Sequence, residues 1–184
     1  LLLCWLAYAV LHSLLASLSL KRAVAARWPR LAPAYRLAFN VLAVVLLVPP
    51  LWLTVAWRGP LLWSWDGGWA WVANGLALAA VGGFVWSTRY YDMAVFAGSA
   101  QWATRNGAAE DPGGLRLSPL HRHVRHPWYS LGLLLLWPRD MDEARLVSAL
   151  CITLYLWLGS LLEERKLLAF HGEAYARYRE RVPG

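Results

Sequence analysis

The sequence predicts an all-α fold: a polytopic membrane helix bundle of about five transmembrane helices with a C-terminal cytoplasmic amphipathic helix, in a single membrane domain over residues 1–184. Hydrophobic residues make up 59% of the chain and charged residues only 16%, whereas soluble domains carry roughly 25% charged residues. The apolar residues form long blocks instead of an amphipathic pattern. The 13 tryptophans far exceed ordinary usage, and tryptophan is enriched at membrane–water interfaces.

The first three apolar blocks are each long enough to cross a membrane, which takes about 20 mostly apolar residues. They cover residues 1–20, 37–57 and 69–87, and a polar loop occupies 58–68. A signal peptide is an alternative for the first block, although no basic stretch precedes it. In the second block, Pro49-Pro50 predicts a kink or an interruption, because proline removes a backbone donor and crowds the preceding turn.

The second half of the chain is predicted to add two spans. Residues 88–126 are polar and irregular, with turn signals at Asn106-Gly107 and Asp111-Pro112-Gly113-Gly114. The fourth block, over 127–138, is short for a span. It is either a tilted or sheltered span, which we favour, or one arm of a hairpin that does not fully cross. After a turn at 139–143, the fifth block runs over 145–162 and continues as a charged amphipathic helix to about Arg181.

The basic residues predict that the N-terminus lies outside and that the C-terminus is cytoplasmic. With five spans in this orientation, the inner segments 21–36, 88–126 and 163–184 hold 15 of the 18 basic residues, as the positive-inside rule requires. The net charge of +7 is therefore interpreted as juxtamembrane charge. This makes the lipid bilayer the expected partner and argues against nucleic-acid binding.

The densest polar sequence at the predicted cytoplasmic face runs from His121 to Tyr129, His-Arg-His-Val-Arg-His-Pro-Trp-Tyr. Pro127 fits the first turn of the fourth helix, where its missing donor has no cost. The N-terminus of that helix would then present free amide groups beside Arg122 and Arg125, an arrangement that binds anions such as a cofactor carboxylate. Binding of lipid headgroups by the same basic residues is the alternative.

A second polar cluster, Glu163-Glu164-Arg165-Lys166, ends the fifth block. Two like charges at a membrane boundary are costly unless a cation lies beside them. Arg122, Arg125 or the cationic groups of a bound cofactor could supply that charge. Solvated carboxylates at a helix exit are the alternative.

His12 is a third candidate, because a histidine within a membrane span is often functional. A hydrogen bond to a neighbouring helix would explain it equally well. No His-x-x-x-His or mixed His/Cys spacing supports a metal site. Cys4 and Cys151 both lie in apolar blocks and are interpreted as small apolar residues.

Several motifs within residues 119–183 resemble the isoprenylcysteine carboxyl methyltransferase family. They are Arg125-His126-Pro127-Trp128-Tyr129, Glu163-Glu164-Arg165-Lys166-Leu167, Gly172-Glu173-Ala174-Tyr175-Ala176-Arg177-Tyr178 and Val182-Pro183. The segment from Leu11 to Ser17 resembles the start of the bacterial branch that includes methanethiol S-methyltransferases and NnrU proteins. Two positions depart from the family pattern: Pro119-Leu120-His121 replaces the usual Gly-x-Tyr, and His171 replaces a phenylalanine.

The resemblance implies that S-adenosyl-L-methionine binds in a cytoplasm-facing pocket built from segments 116–129 and 163–183. It also implies methyl transfer to a thiol or carboxylate of a small or lipophilic acceptor. The predicted cofactor-binding residues are His123, Arg125, His126, Pro127, Tyr129, Glu163 and Glu164. The predicted catalytic residues are Arg125 and His126, and the predicted substrate-binding residues are His12, Arg122, Tyr175 and Tyr178.

Methyl transfer from a sulfonium is an in-line displacement with a good leaving group, so an obligatory general base is not expected. Arg122 and Arg125 are predicted to steer an anionic acceptor, and His123 or His126 to deprotonate a thiol. The alternative is a non-enzymatic NnrU-like membrane protein linked to haem or nitrogen-oxide metabolism, which the histidines near the inner face would favour. A transporter is less supported, because few intramembrane polar residues are available to line a pathway.

Overall fold

The computed structural model describes residues 1–105 and 117–184. The predicted turns at Asn106-Gly107 and at residues 111–114, and the first position of segment 116–129, lie outside the described residues. The helices are α1 (Leu2–Ala16), α2 (Leu18–Arg27), α3 (Tyr35–Ala56), α4 (Gly68–Thr88), α5 (Met93–Ala97), α6 (Ser99–Thr104), α7 (Pro127–Leu136) and α8 (Glu143–Arg181). Two short strands, β1 (Leu61–Trp63) and β2 (Met141–Asp142), and 3₁₀ turns at Ala32–Ala34 and Pro119–Arg122 complete the described elements. The all-α prediction is confirmed.

Three helical segments are long and apolar enough to cross a membrane: Ala32–Ala56, Gly68–Thr88 and Glu143–Arg181. The bent pair α1–α2 is a fourth if it is counted as one span. Helix α7 has 10 residues, so it rises only about 15 Å, about half of the hydrocarbon core. These helices are those of a membrane protein, and five crossings stay a prediction.

The described residues divide into two compact units, one of residues 1–57 and 92–105 and the other of residues 58–91 and 117–184. In the first unit, the apolar block over 1–20 folds as two helices and not as one straight helix. The backbone is extended at Ser17 (ψ 142°), and α1 and α2 meet at 54°. The Ser17 side chain accepts a hydrogen bond from Leu20 N at 3.3 Å and so caps α2. Capping by the serine gives the orphan donors of a new helix a partner, which favours the break at this position.

Helix α3 continues through Pro49 and Pro50, so an interruption at this pair is wrong. Prolines are tolerated inside membrane helices where neighbouring groups satisfy the freed backbone. The helix remains one segment of 22 residues.

The prediction that 88–126 is irregular throughout is also wrong, because α5 and α6 lie within it. The Asp92 carboxylate caps α5 by accepting from Ala94 N and Val95 N. Gly98 joins the two helices at φ 92°, and a Cβ there would lie 2.5 Å from Leu37 N of α3. Only glycine allows this close approach to α3.

In the second unit, α4 packs against α7 through small residues. Ala73, Ala80 and Ser87 are buried at seven-residue spacing along α4. Trp128 Nε1 of α7 donates to Ser87 Oγ at 2.8 Å. A Cβ at Gly83 would lie 3.0 Å from the Leu131 side chain, so a glycine here permits close helix packing.

At the opposite end of α7, β1 pairs antiparallel with β2, with Leu61 opposite Asp142. The sequence predicted a loop over 58–68 and a turn over 139–143, so this pairing was missed. Its two strands are too short to carry a periodic signal. The Asp142 carboxylate accepts from Arg145 N at 2.8 Å and caps α8.

Helix α8 has 39 residues in two helical segments. The first segment, over 143–171, rises about 43 Å and is therefore longer than a hydrocarbon core about 30 Å thick. Gly172 interrupts its helical geometry at φ 52° and ψ −129°. The helix ends at Arg181, as predicted. The amphipathic character of its C-terminal part stays a prediction.

Candidate active site

The first turn of α7 and the middle of α8 bring together the two polar clusters that the sequence singled out. Pro127 is buried and occupies the first turn of α7, with His126 as the preceding cap residue. This is the position where a proline leaves no backbone donor unsatisfied. Glu163 and Glu164 lie on α8, beyond its apolar block. Residues 34 to 39 positions apart in sequence are thereby placed in contact.

Arg125 connects three parts of this second unit. Its Nε donates to Glu164 Oε1 at 2.7 Å. Its Nη1 donates to the carbonyls of Arg179 at 3.1 Å and Val182 at 2.8 Å. Its backbone N–H donates to the Pro183 carbonyl at 2.8 Å. The Arg125 guanidinium therefore holds the C-terminal segment beside α7.

His126 lies between the two carboxylates of α8. Its Nε2 is 3.2 Å from Glu164 Oε1, and its Nδ1 is 3.5 Å from Glu163 Oε2. Its ring stacks on Tyr129, with centroids 5.2 Å apart and planes inclined by 11°. The Tyr129 hydroxyl donates to Glu163 Oε2 at 3.0 Å. The cluster of Arg125, His126, Tyr129, Glu163 and Glu164, hereafter the Glu-His cluster, thus contains most of the predicted cofactor-binding residues.

The electrostatics of the cluster follow from these contacts. A hydrogen bond to Glu163 raises the pKa of His126 above its ordinary value, against the lowering effect of desolvation. Desolvation alone would raise the pKa of Glu163, but hydrogen bonds from His126 and Tyr129 and the charges of His126 and Lys166 bring it below its ordinary value. The positive charge beside the glutamate pair therefore comes from Arg125 and His126. The sequence had suggested Arg122, Arg125 or a bound cofactor as its source.

Tyr175 and Tyr178 pack next to the cluster from the last turns of α8. Tyr175 is 1% exposed, and burial together with the nearby charge of Glu164 raises its pKa to about 12. The Tyr178 hydroxyl donates to the His121 carbonyl at 2.9 Å. Both residues stabilise the tertiary structure here, and their predicted substrate binding stays a prediction.

Three further residues were predicted to bind the cofactor or the substrate: Arg122, His123 and His12. Arg122 and His123 are exposed at the end of the 3₁₀ turn before α7. His12 belongs to the first unit, where its ring lies near Tyr8 at 5.4 Å and Phe39 at 5.1 Å between centroids. Their roles as binding residues stay predictions.

A turn that precedes the cluster was not predicted from the sequence. Ser118 caps the 3₁₀ turn at Pro119–Arg122, and its N–H and Oγ lie 3.1 and 2.9 Å from His121 Nδ1. The sequence carries a signal for this turn: Ser118 is followed by Pro119, and the polar His121 lies three residues after the serine, which is the spacing of a capping box. The departure from the family pattern at 119–121 thus forms a closed local turn.

Among residues 1–105 and 117–184, no group of three or more His, Cys, Asp or Glu side chains could hold a metal ion. No family model matches the chain, and no solved structure matches it.

Several curated proteins are similar to this chain. A Methanethiol S-methyltransferase of Crocosphaera subtropica is 42% identical over 64 residues, covering 34% of this chain and 25% of that protein. One of Pseudomonas deceptionensis is 38% identical over 71 residues, covering 38% of this chain and 27% of that protein. Methanethiol S-methyltransferase 2 of Bradyrhizobium diazoefficiens is 30% identical over 184 residues, covering 96% of this chain and 68% of that protein. The matches to the first two thus span about a quarter of each relative's length.

Proposed function

Because the chain belongs to the methanethiol S-methyltransferase family, we propose that it is a membrane methyltransferase that transfers a methyl group from S-adenosyl-L-methionine to a small thiol. The names of its relatives indicate a methyltransferase. The structural observation that carries the proposal is the ordered Glu-His cluster, whose Glu163 side chain is 48% exposed. This carboxylate is held by the protein and is also open to a ligand.

The residues present fit a cationic methyl donor. A sulfonium and an amino group both favour a carboxylate within a few ångströms. Glu163 offers one, and its position is fixed by Tyr129 at 3.0 Å. Glu164 is only 11% exposed and is bound to Arg125 at 2.7 Å, so it supports the cluster from within. Glu163 is therefore the proposed direct ligand, and Arg125 and Glu164 support it.

Bound S-adenosyl-L-methionine supplies an electrophilic methyl group on a sulfonium leaving group. The protein has to align the acceptor sulfur with that methyl group and to exclude water. The stacked pair of His126 and Tyr129 gives a rigid surface beside Glu163 for this alignment. Methanethiol, named in the relatives, is the acceptor that we propose to test first.

We further propose five membrane crossings, with the Glu-His cluster at the cytoplasmic face. The positive-inside distribution supports this orientation, because 15 of the 18 basic residues fall in the three inner segments. Crossing by the short α7 requires that its neighbours shelter its ends, and α4 is packed against it. A cysteine-accessibility scan of the polar loops in intact cells tests the orientation.

The proposed activity is tested with the detergent-purified protein. Calorimetry with S-adenosyl-L-methionine should give saturable binding, and methanethiol should yield dimethyl sulfide in the headspace. Glu163→Gln should weaken cofactor binding roughly 10-fold or more, since hydrogen bonds to charged groups contribute about 1.5–3 kcal/mol. Glu173→Gln is the matched control, because that carboxylate is on the same helix and is 92% exposed.

Absence of cofactor binding to a folded protein would overturn the proposal. A haem absorbance band in the same sample would then favour the non-enzymatic NnrU-like alternative. Equal cofactor binding by Glu163→Gln and the unsubstituted protein would instead show that the cofactor does not bind at the Glu-His cluster.

A further inference from the structure

Both ring nitrogens of His126 face carboxylate oxygens. Nε2 lies 3.2 Å from Glu164 Oε1 and Nδ1 lies 3.5 Å from Glu163 Oε2. The His126 side chain is only 9% exposed, so water has little access to either nitrogen. The ring is thus enclosed between two acidic side chains of one helix.

The hydrogen-bonding capacity of the groups decides the protonation state of the ring. An ionised carboxylate only accepts, and a neutral imidazole carries one donor and one acceptor. A neutral His126 would therefore direct a lone pair at one of the two carboxylates. The imidazolium form gives each carboxylate a donor, and its charge together with that of Arg125 balances Glu163 and Glu164.

A proton on one of the glutamates is the competing arrangement. The other partners of the two carboxylates oppose it. Tyr129 donates to Glu163 at 3.0 Å, and Arg125 donates to Glu164 at 2.7 Å. Each of these bonds stabilises the ionised carboxylate. Both glutamates therefore remain acceptors, and the proton belongs on the ring.

We infer that His126 is a doubly protonated clamp between Glu163 and Glu164, and hence, given the proposed function, that the acceptor must reach the site already ionised. His126 is then a positioning residue: it holds Glu163 for the cofactor and takes no proton from the thiol. This assigns the acceptor to nucleophiles that ionise in solution, such as the proposed small thiol, and leaves out alcohols, which would require a base.

Methyl transfer to a thiolate requires no proton transfer by the protein. The thiol first gives its proton to water or hydroxide. The thiolate sulfur then forms a bond to the methyl carbon as the bond from that carbon to the sulfonium sulfur breaks. The electron pair of the broken bond stays on the leaving sulfur, so the products are a methyl thioether and S-adenosylhomocysteine. No proton passes through His126 in this step.

The clamp is tested first without any substrate. The titratable or charged groups that act on His126 directly or through the two glutamates are Tyr91, His121, Arg125, Tyr129, Glu163, Glu164, Lys166, Tyr175 and Tyr178. Nitrogen-15 spectra of histidine-labelled protein, assigned with His126→Gln, report the protonation of the ring. At pH 7.5, both nitrogens of His126 should carry a proton. A neutral His126 ring overturns the clamp, whether or not the protein methylates thiols.

The acceptor class is tested by the pH dependence of kcat/KM for methanethiol. With no free base, kcat/KM should rise about tenfold per pH unit from pH 6.5 to 8, following the thiolate concentration. His126→Gln should lower kcat/KM and keep that slope. A plateau beginning near pH 7 in the unsubstituted protein, absent in His126→Gln, would identify His126 as a general base and overturn the inference. Failure of all turnover with an intact imidazolium signal would refute the proposed function and leave the clamp standing.

Discussion

Arg125 Nε donates to Glu164 Oε1 at 2.7 Å, and this bond joins the segment before α7 to the middle of α8. The same guanidinium donates to the carbonyls of Arg179 and Val182. One side chain thus stabilises both the acidic pair and the end of α8. A cluster built in this way depends on the C-terminal segment as much as on the motif around Pro127.

Arg125→Lys should loosen the C-terminal segment. A lysine ammonium is a compact charge on a flexible stem and does not reproduce the planar fork that reaches Glu164 and two carbonyls. We expect a loss of about 1–3 kcal/mol of stability and faster tryptic cleavage near Arg179. Limited proteolysis followed by mass spectrometry measures this. Arg122→Lys is the matched control, because Arg122 is exposed; equal digestion of the two variants would contradict the role of Arg125.

The contribution of the Glu-His cluster to stability should decrease both at alkaline and at acidic pH. The pKa of His126 is raised from 6.5, so its contribution is complete below pH 6.5 and is lost as the pH rises through the raised value. The pKa of Glu163 is lowered from 4.5, so its contribution is complete above pH 4.5 and is lost as the pH falls through the lowered value.

The difference in melting temperature between the unsubstituted protein and His126→Gln should therefore be larger at pH 6 than at pH 9. Thermal unfolding in detergent, followed by tryptophan fluorescence, measures it. His123→Gln serves as the control and should give a small difference at both values of pH. A difference in melting temperature between the unsubstituted protein and His126→Gln that is larger at pH 9 than at pH 6 would show that the pKa of His126 is shifted in the opposite direction.

Two adjacent glycines of α4 should respond differently to the same substitution. Alanine stabilises a helix interior by about 1 kcal/mol relative to glycine. A Cβ at Gly82 meets nothing within 4 Å, whereas one at Gly83 lies 3.0 and 3.2 Å from two carbons of Leu131. Gly83→Ala should thus be less stable than Gly82→Ala by about 1–3 kcal/mol, the usual cost of overpacking. Denaturation in mixed detergent compares them, and equal stabilities would count against the α4–α7 packing.

Asparagine-to-aspartate changes should have different effects on stability at two positions. Asn40 Nδ2 donates to the carbonyls of Phe96 and Ala97 at 3.0 and 2.9 Å. Asn40→Asp would replace this donor by a carboxylate facing two carbonyl oxygens, and should cost about 1–3 kcal/mol. Asn74 Oδ1 instead accepts from Arg139 Nη1 at 3.0 Å. Asn74→Asp gives this guanidinium an anionic partner near the outer end of the predicted span, and the ion pair should offset the cost of the new charge, so that the change is close to neutral.

Thermal unfolding of both variants at pH 8 provides the comparison. Destabilisation of similar size at the two positions would mean that a general effect of added charge, and not the direction of the hydrogen bonds, decides the outcome.

Local sequence signals predicted much of the fold. The apolar blocks identified the long helices, because crossing a bilayer requires a minimum length of apolar chain. Pro127 marked the start of α7, and the end of α8 at Arg181 followed from its continuous polar and apolar pattern. The break at Ser17 was missed, since a single serine in an apolar block gives little warning that its hydroxyl will cap a new helix.

The sequence by itself determined that this is an all-α membrane protein and which short motifs carry its polar chemistry. Both properties are local, being set by composition, run length and the residues next to one another. Only the tertiary structure decided that His126 lies between Glu163 and Glu164, 37 and 38 positions along the chain, and that Arg125 is bound by the C-terminal segment. Such contacts depend on the rotation and depth of α7 against α8, which side-chain packing fixes and sequence spacing does not.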